Sequence, residues 1–258
     1  MRRIICALAI AVSLTAAAGA ITYGTPDGNA HPNVGLLIAK IGDVYYALCS
    51  GTLVAPDVFL TAAHCTDAIE EVNAQTYVTF QPGPGYSVAG FLPGTSHTHP
   101  DWGESFPNTA DIGVVMLDTP VLTITPARIP TAGFLDDLST RRGLNDVYFT
   151  HVGYGAQSIR PMTVSVLQRY QGVSSLINLV NAWTDGFNLE TTANPGKGRS
   201  GICFGDSGGP AFYEGTDIVV GIHSFVQNPN CKGTGDSYRV DIATSLDFLA
   251  GFGATPSF

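Results

Sequence analysis

An all-β protein is indicated by the pattern of apolar residues along the chain. Short runs rich in Val, Ile, Tyr and Phe are broken by Gly, Pro, Asn and Asp, as in the strands of a sandwich or barrel. Helical periodicity is scarce: one helix is predicted near the C-terminus, over residues 243–250, and a second candidate over residues 163–171. Strands are predicted over residues 34–38, 44–49, 76–80, 112–117, 147–152 and 218–225.

The N-terminal residues have the features of a secretory signal peptide. Arg2 and Arg3 precede an apolar run over residues 4–18, and the small residues 18–20 (Ala-Gly-Ala) fit a cleavage site. A run of about fifteen apolar residues is short for a membrane span, so no stable membrane anchor is expected. We therefore predict a signal peptide over residues 1–20 and a secreted, extracellular chain that begins at Ile21.

Charge and cysteine content narrow the class of protein further. Without the two leader arginines the chain has 10 basic and 21 acidic residues, a net charge of −11 that disfavours nucleic acid and anionic membranes as partners. Four cysteines follow the leader, and an even number in a secreted chain points to disulfides. Composition alone leaves three pairings open.

The remaining length, residues 21–258, suits one large all-β unit or two small ones. Residues 119–130 contain three prolines and separate two strand-rich halves. Such a segment is either an ordinary surface loop or the boundary between two β units.

The strongest chemical motif is the stretch 205–210, Gly-Asp-Ser-Gly-Gly-Pro. Its glycines permit a tight backbone path around an exposed hydroxyl, which makes Ser207 a candidate nucleophile. The Gly-x-Ser-x-Gly pattern also fits the nucleophile elbow of α/β-hydrolases, but that fold needs an acid and then a histidine after the serine. Only His223 follows Ser207, and alternating β-α units are missing.

Two motifs upstream supply the partners that such a serine needs. His64 stands beside Cys65 in Thr-Ala-Ala-His-Cys, and a disulfide there would fix the backbone of a general base. A bridge from Cys49 would close a loop over this position. Asp111 enters an apolar run, where a buried carboxylate must be paired, and a histidine ring would satisfy it.

The order His64, Asp111, Ser207, with their local sequences, resembles the trypsin/chymotrypsin family of serine proteases over essentially the whole chain after the leader. The resemblance implies two six-stranded antiparallel β-barrels with the active site in the cleft between them. The first barrel would span about residues 21–125 and the second about 130–242, followed by the helix at 243–250.

The resemblance also implies a role for each residue of the motifs. Ser207 would attack the scissile carbonyl, His64 would transfer the proton, and Asp111 would orient the imidazole. The backbone N–H groups of Gly205 and Ser207 would form the oxyanion hole, and Ser224 would hydrogen-bond the triad acid. Cys203 and Cys231 would form the second disulfide, beside the specificity pocket.

The residues after the predicted cleavage site resemble the mature N-terminus of the family. There, the ammonium group of a newly released N-terminal residue pairs with the acid before the nucleophile, which implies a pair between Ile21 and Asp206. Since the predicted signal-peptide cleavage would itself expose Ile21, we expect no separate propeptide.

The predicted specificity pocket is small and apolar. Gly201 stands at the position where trypsins carry Asp, and the run Gly201-Ile202-Cys203-Phe204-Gly205 resembles elastases. The wall, Ser224-Phe225-Val226, has Val where trypsins and chymotrypsins have Gly, which would shorten the pocket. We therefore predict cleavage after small aliphatic residues. Asp236 keeps trypsin-like cleavage after Arg or Lys open as an alternative, and chymotrypsin-like cleavage is a third possibility.

Protein or peptide substrates, and protein protease inhibitors, are the expected partners of a monomeric enzyme. The competing interpretation is a catalytically silent binding protein on the same scaffold, although such relatives usually lose the triad Ser or His. No cofactor or metal is expected. His97 and His99 have a spacing that could suit a metal, but the family has His-Pro in this loop without one. His31 and His151 are interpreted as structural.

Overall fold

The computed structural model describes residues 21–139, 147–159 and 163–258. The predicted signal peptide lies outside the described residues. The described part of the chain forms two closed, six-stranded antiparallel β-barrels with few helices, so the predicted all-β fold is confirmed.

The first barrel is a closed sheet of six strands that encloses much of the buried apolar core. A short strand, β1 (Thr25–Pro26), precedes it and pairs with the second barrel. The neighbouring order is β2-β3-β4-β7-β6-β5, closed by pairing of β5 with β2. Its elements are β2 (Val34–Ile41), β3 (Val44–Ala55), β4 (Val58–Thr61), α1 (Ala63–Glu71), β5 (Gln75–Thr79), β6 (Leu92–Thr98) and β7 (Gly113–Leu117).

The second barrel has the strand order β8-β9-β10-β13-β12-β11. It is closed because β8 pairs with both β9 and β11. Its elements are α2 (Asp136–Ser139), β8 (Tyr148–Gly153), β9 (Tyr170–Asn178), β10 (Asn188–Ala193), β11 (Pro210–Tyr213), β12 (Val219–Val226) and β13 (Gly233–Arg239), with α3 (Ala243–Ala250) after the barrel. The proline-rich residues 119–130 lie between β7 and β8.

The predicted C-terminal helix is confirmed as α3, and each predicted strand overlaps an observed one. The second predicted helix, over residues 163–171, is wrong. Val164 forms an isolated bridge with Ser158, and the backbone of Val166 is hydrogen-bonded by the side-chain amide of Gln157. These contacts satisfy the backbone groups that a helix would use, and β9 begins at Tyr170.

Candidate active site

His64 is held by Asp111 at two points. It occupies the second position of α1, and its backbone N–H, which has no acceptor within a helix, donates to Asp111 Oδ1 at 3.0 Å. The ring Nδ1 lies 2.9 Å from Asp111 Oδ2 and 3.1 Å from Oδ1. A carboxylate only accepts, so Nδ1 carries the proton and Nε2 is left free to act as a base.

The charge of Asp111 also sets the basicity of this imidazole. Burial by itself lowers the pKa of His64, but the hydrogen bond and negative charge of Asp111 outweigh it, and the pKa lies above its ordinary value. Asp111 is almost fully buried, in the turn between Ala110, whose φ is +48°, and β7. Ser224 Oγ donates to Asp111 Oδ2, so both barrels contribute to the site.

Ser207 lies on a tight turn that is hydrogen-bonded to the first barrel. The N–H of Ser50, on β3, donates to the Ser207 carbonyl at 2.8 Å, and Ser50 Oγ donates to the Gly205 carbonyl at 2.9 Å. Gly205 has a φ of +91°, a conformation that favours glycine. A Cβ on Gly208 would lie 2.1 Å from Thr61 Oγ1, so only glycine permits this approach of the two barrels.

The turn leaves two backbone donors unused. Within the described part of the chain, the N–H groups of Gly205 and Ser207 have no acceptor, whereas those of Asp206, Gly208 and Gly209 are all bonded. Free, adjacent N–H groups beside a serine hydroxyl are the arrangement that stabilises an oxyanion.

Asp206, between those donors, points away from the pocket and is fully buried. Its carboxylate accepts N–H groups of Gly155 and Cys203, each at 2.9 Å, and that of Ile21. Burial raises the pKa of Asp206 to about 7, although these hydrogen bonds lower it. The side chain of Ile21 is likewise fully buried.

His64 and Ser207 open onto one pocket of about 410 Å³. Six further residues line it: Ile202, Cys203, Phe204, Ser224, Phe225 and Val226. Val226 packs against the disulfide between Cys203 and Cys231. The other disulfide joins Cys49 to Cys65 and attaches the start of α1 to β3.

Two residues predicted for the pocket, Gly201 and Asp236, are not among these lining residues. Gly201 is paired with Thr22 through two backbone hydrogen bonds, of 2.8 and 3.2 Å, and a Cβ on it would lie 2.2 Å from Ala193. Asp236 is fully buried on β13, opposite Glu190, and accepts from Gln227 Nε2 at 3.0 Å. Burial raises the pKa of Asp236 to about 7, and the nearby charge of Glu190 adds to this rise.

The structure also brings residues to the site that the motifs did not reveal. Ser50 is one, and its only signal in the sequence is its place next to Cys49. The others are Phe106 and Trp183, which pack beside the predicted pocket residue Phe225. The ring of Phe225 lies 5.7 Å from that of Phe106 and 6.3 Å from that of Trp183, and the rings of Phe106 and Trp183 are 5.4 Å apart. These residues are far apart in sequence, and no local pattern connects them.

The histidines with metal-like spacing have other contacts. The ring of His97 lies 5.0 Å from Phe252, and that of His99 lies 4.8 Å from Phe248 on α3. His99 Nδ1 also accepts the N–H of Asp101 at 3.1 Å, and burial lowers the pKa of His99.

A double β-barrel in which an imidazole and a half-buried serine line one pocket, and a buried carboxylate holds the imidazole, defines a serine endopeptidase of the chymotrypsin-like fold. The comparisons agree with this class. The chain belongs to the trypsin family, whose model (Trypsin) matches residues 24–248.

Two characterised proteins illustrate the relationship. Brachyurin of Leptuca pugilator is 32% identical over 225 residues, which cover 81% of this chain and 88% of that protein. Collagenase of Hypoderma lineatum is 26% identical over 189 residues, covering 71% and 68%. A solved structure of HL collagenase superposes with a TM-score of 0.68 at 20% identity, over 90% of this chain and 99% of the other. No helix among the described residues is long and apolar enough to cross a membrane.

Proposed function

We propose that this protein is a secreted endopeptidase that works through a triad of Ser207, His64 and Asp111. Ser207 Oγ attacks the substrate carbonyl while His64 Nε2 accepts its proton, and the same nitrogen then returns the proton to the leaving amine. Water hydrolyses the resulting acyl-enzyme by the same route. The observation that carries the proposal is that Asp111 accepts hydrogen bonds from both the backbone and the ring of His64, which lines the same pocket as Ser207.

The N–H groups of Gly205 and Ser207 would stabilise the oxyanion in this mechanism. Their lack of an acceptor in the described part of the chain supports that role. The loss of one such donor typically lowers kcat by about 10²–10³-fold. Asp111 would stay ionised throughout and stabilise the imidazolium that forms on proton transfer.

The proposed preference is for small aliphatic residues before the scissile bond. The lining by Ile202, Phe225 and Val226 supports it, since branched and aromatic side chains limit both the depth and the polarity of the pocket. The trypsin-like alternative would need a carboxylate facing the pocket. Its candidate, Asp236, is instead bonded to Gln227 and is not among the lining residues.

Activation by signal-peptide cleavage alone is part of the proposal. The hydrogen bond between the Ile21 N–H and the buried Asp206 supports it, because an ammonium group freed at Ile21 would face a carboxylate whose partners in the described part of the chain are N–H groups. Sequencing the N-terminus of the secreted enzyme tests this: Ile21 is expected, and any other first residue on active enzyme refutes it.

Labelling of the secreted protein with a fluorophosphonate probe tests the endopeptidase itself, with Ser207→Ala as the matched control. Labelling of the parent protein and none of the variant is expected, whereas a silent parent protein would favour the binding-protein alternative. Profiling cleavage of a mixed peptide library then tests specificity, and a majority of cuts after Arg or Lys would overturn the aliphatic preference. Monomeric behaviour and inhibition by protein protease inhibitors are further expectations.

A further inference from the structure

Two buried imidazoles lie in line behind the turn that carries Ser207. His151, on β8, and His223, on β12, are both fully buried. His151 Nδ1 lies 2.8 Å from His223 Nε2, and His223 Nδ1 lies 3.1 Å from the carbonyl oxygen of Asp206. At the far end, His151 Nε2 lies 2.5 Å from Ser174 Oγ and 3.3 Å from Thr191 Oγ1.

The Asp206 carbonyl at one end of this row determines which ring nitrogen donates and which accepts in each hydrogen bond. A carbonyl oxygen only accepts, so His223 Nδ1 carries a proton. Burial keeps both rings neutral, since it lowers the pKa of His151 to about 3 and that of His223 well below its ordinary value. In a neutral imidazole the second nitrogen is an acceptor, so His223 Nε2 accepts from His151 Nδ1, and His151 Nε2 accepts from the hydroxyl of Ser174.

The Asp206 carbonyl belongs to the same peptide unit as the N–H of Ser207. A trans peptide is planar, and its C=O and N–H point in opposite directions, so a donor that holds the carbonyl inward directs the N–H outward. Two donors hold this carbonyl: the N–H of Gly209, at 2.9 Å, and the ring of His223. The backbone of His223 also pairs with Gly208 and Gly209, at 2.8 Å each.

We propose that His223, oriented by His151, is a positioning residue that fixes the peptide between Asp206 and Ser207, so that the Ser207 N–H faces the substrate oxyanion. The inference rests on the proposed endopeptidase function and deepens it. His223 itself does not line the pocket. Its effect therefore reaches the chemistry through the orientation of one backbone donor.

A pair of polar variants isolates the bond to the carbonyl. His223→Asn places an amide N–H near the position of Nδ1, whereas His223→Gln extends its amide towards His151 and leaves the Asp206 carbonyl with one donor. We expect the Gln variant to lose about 10–10²-fold in kcat, less than the full cost of a lost oxyanion donor because the N–H of Gly209 still holds the carbonyl, with KM changed less than about threefold. The Asn variant is expected to recover most of that loss.

Binding of a peptide aldehyde, which forms a tetrahedral adduct, supplies a readout that a general loss of stability would not move. Its affinity should fall in the Gln variant in proportion to kcat/KM, while the affinity of a peptide product should not change. Equal losses in both variants, or a loss confined to KM, would overturn the proposal. His31→Gln, at a histidine that stacks on Phe212, serves as the control and is expected to keep full kcat.

The tautomer can be measured without any activity. Nitrogen-15 NMR of the labelled protein should show His223 protonated on Nδ1 only and His151 likewise, at neutral pH. A protonated Nε2 on His223 refutes the positioning role even if hydrolysis is normal. The expected tautomers in a protein that fluorophosphonate does not label would refute the proposed function while the hydrogen-bonded row stands.

Discussion

Asp111 illustrates how one side chain in this site serves both the fold and the chemistry. Its Oδ1 accepts the backbone N–H of His64 at the start of α1, and its carboxylate also holds the ring of the same residue. The negative charge lies at the N-terminus of the helix, where the helix dipole favours it. Backbone and ring of His64 are thus fixed by one buried group.

Replacement of Asp111 by Asn separates the charge from the geometry. The pKa of His64 is raised by Asp111 against the effect of burial, so without the charge it should fall below its ordinary value. Catalysis needs the neutral imidazole; hence the acidic limb of the pH profile of kcat/KM should move to lower pH. At neutral pH kcat should fall about 10⁴-fold, the typical effect of replacing the triad acid of a serine protease by its amide. An acidic limb that moves to higher pH would contradict this assignment.

Val226 is the residue at which pocket size should be adjustable. It lines the pocket and packs against the Cys203–Cys231 disulfide. Val226→Gly removes a branched side chain, so cleavage after Phe should rise relative to cleavage after Ala by about 10-fold or more, as expected for a few methyl groups in an apolar pocket. Competing peptide substrates measure the ratio. Val226→Ala is the intermediate control, and an unchanged ratio in both variants would exclude this wall from specificity.

At the scale of elements, the start of α1 depends on a covalent link. The Cys49–Cys65 disulfide joins β3 to the residue that follows His64, across a sequence separation of 16. The N-cap residue of α1, Ala62, makes no side-chain capping hydrogen bond, and the start of the helix is instead restrained by the disulfide and by Asp111.

Removal of this disulfide should therefore lower both stability and activity. A Cys49→Ala/Cys65→Ala double variant is expected to lose about 3 kcal/mol of unfolding free energy, measured by urea denaturation. Under native conditions kcat should fall more than KM changes, because His64 loses a restraint while the pocket walls remain. In the matched Cys203→Ala/Cys231→Ala variant KM should change more than kcat, since Cys203 of that disulfide lines the pocket.

At the scale of the whole molecule, one buried arginine connects the N-terminal segment with both barrels. Arg169 lies directly before β9 of the second barrel, and its side chain is fully buried. Its Nε donates to Asp27 at 2.8 Å, and its Nη1 donates to the carbonyls of Val34 and Phe80 in the first barrel. The hydrogen bonds from His31 and Arg169 keep the pKa of Asp27 below its ordinary value despite burial.

Arg169→Met should cost about 3–5 kcal/mol of unfolding free energy, because it leaves the charge of Asp27 buried without the guanidinium, although His31 still bonds it. Adding Asp27→Asn should restore part of that loss, since the neutral amide needs no counter-charge. Denaturation of the Arg169→Met, Asp27→Asn and double variants, together with the parent protein, gives the interaction free energy between the two side chains. Strictly additive losses would show that the two side chains act independently.

Much of the fold and part of the site followed from local patterns. The helix at 243–250 and the strands have clear apolar runs. Of the three residues that the motifs predict, the structure brings His64 and Ser207 to one pocket, and Asp111 is hydrogen-bonded to His64. The helix predicted at 163–171 failed because a side chain 9 residues away in sequence, Gln157, binds the backbone there. That contact has no local signature.

The sequence by itself determined the chemistry, because each group of the proposed triad stands in a short motif that fixes its own backbone. Only the tertiary structure decided which neighbours those groups meet: Ser50 beneath the Ser207 turn, His151 behind His223, and Glu190 with Gln227 around Asp236. These contacts join strands that are distant along the chain. Barrel closure and strand register set them, and register depends on the packing of the whole core.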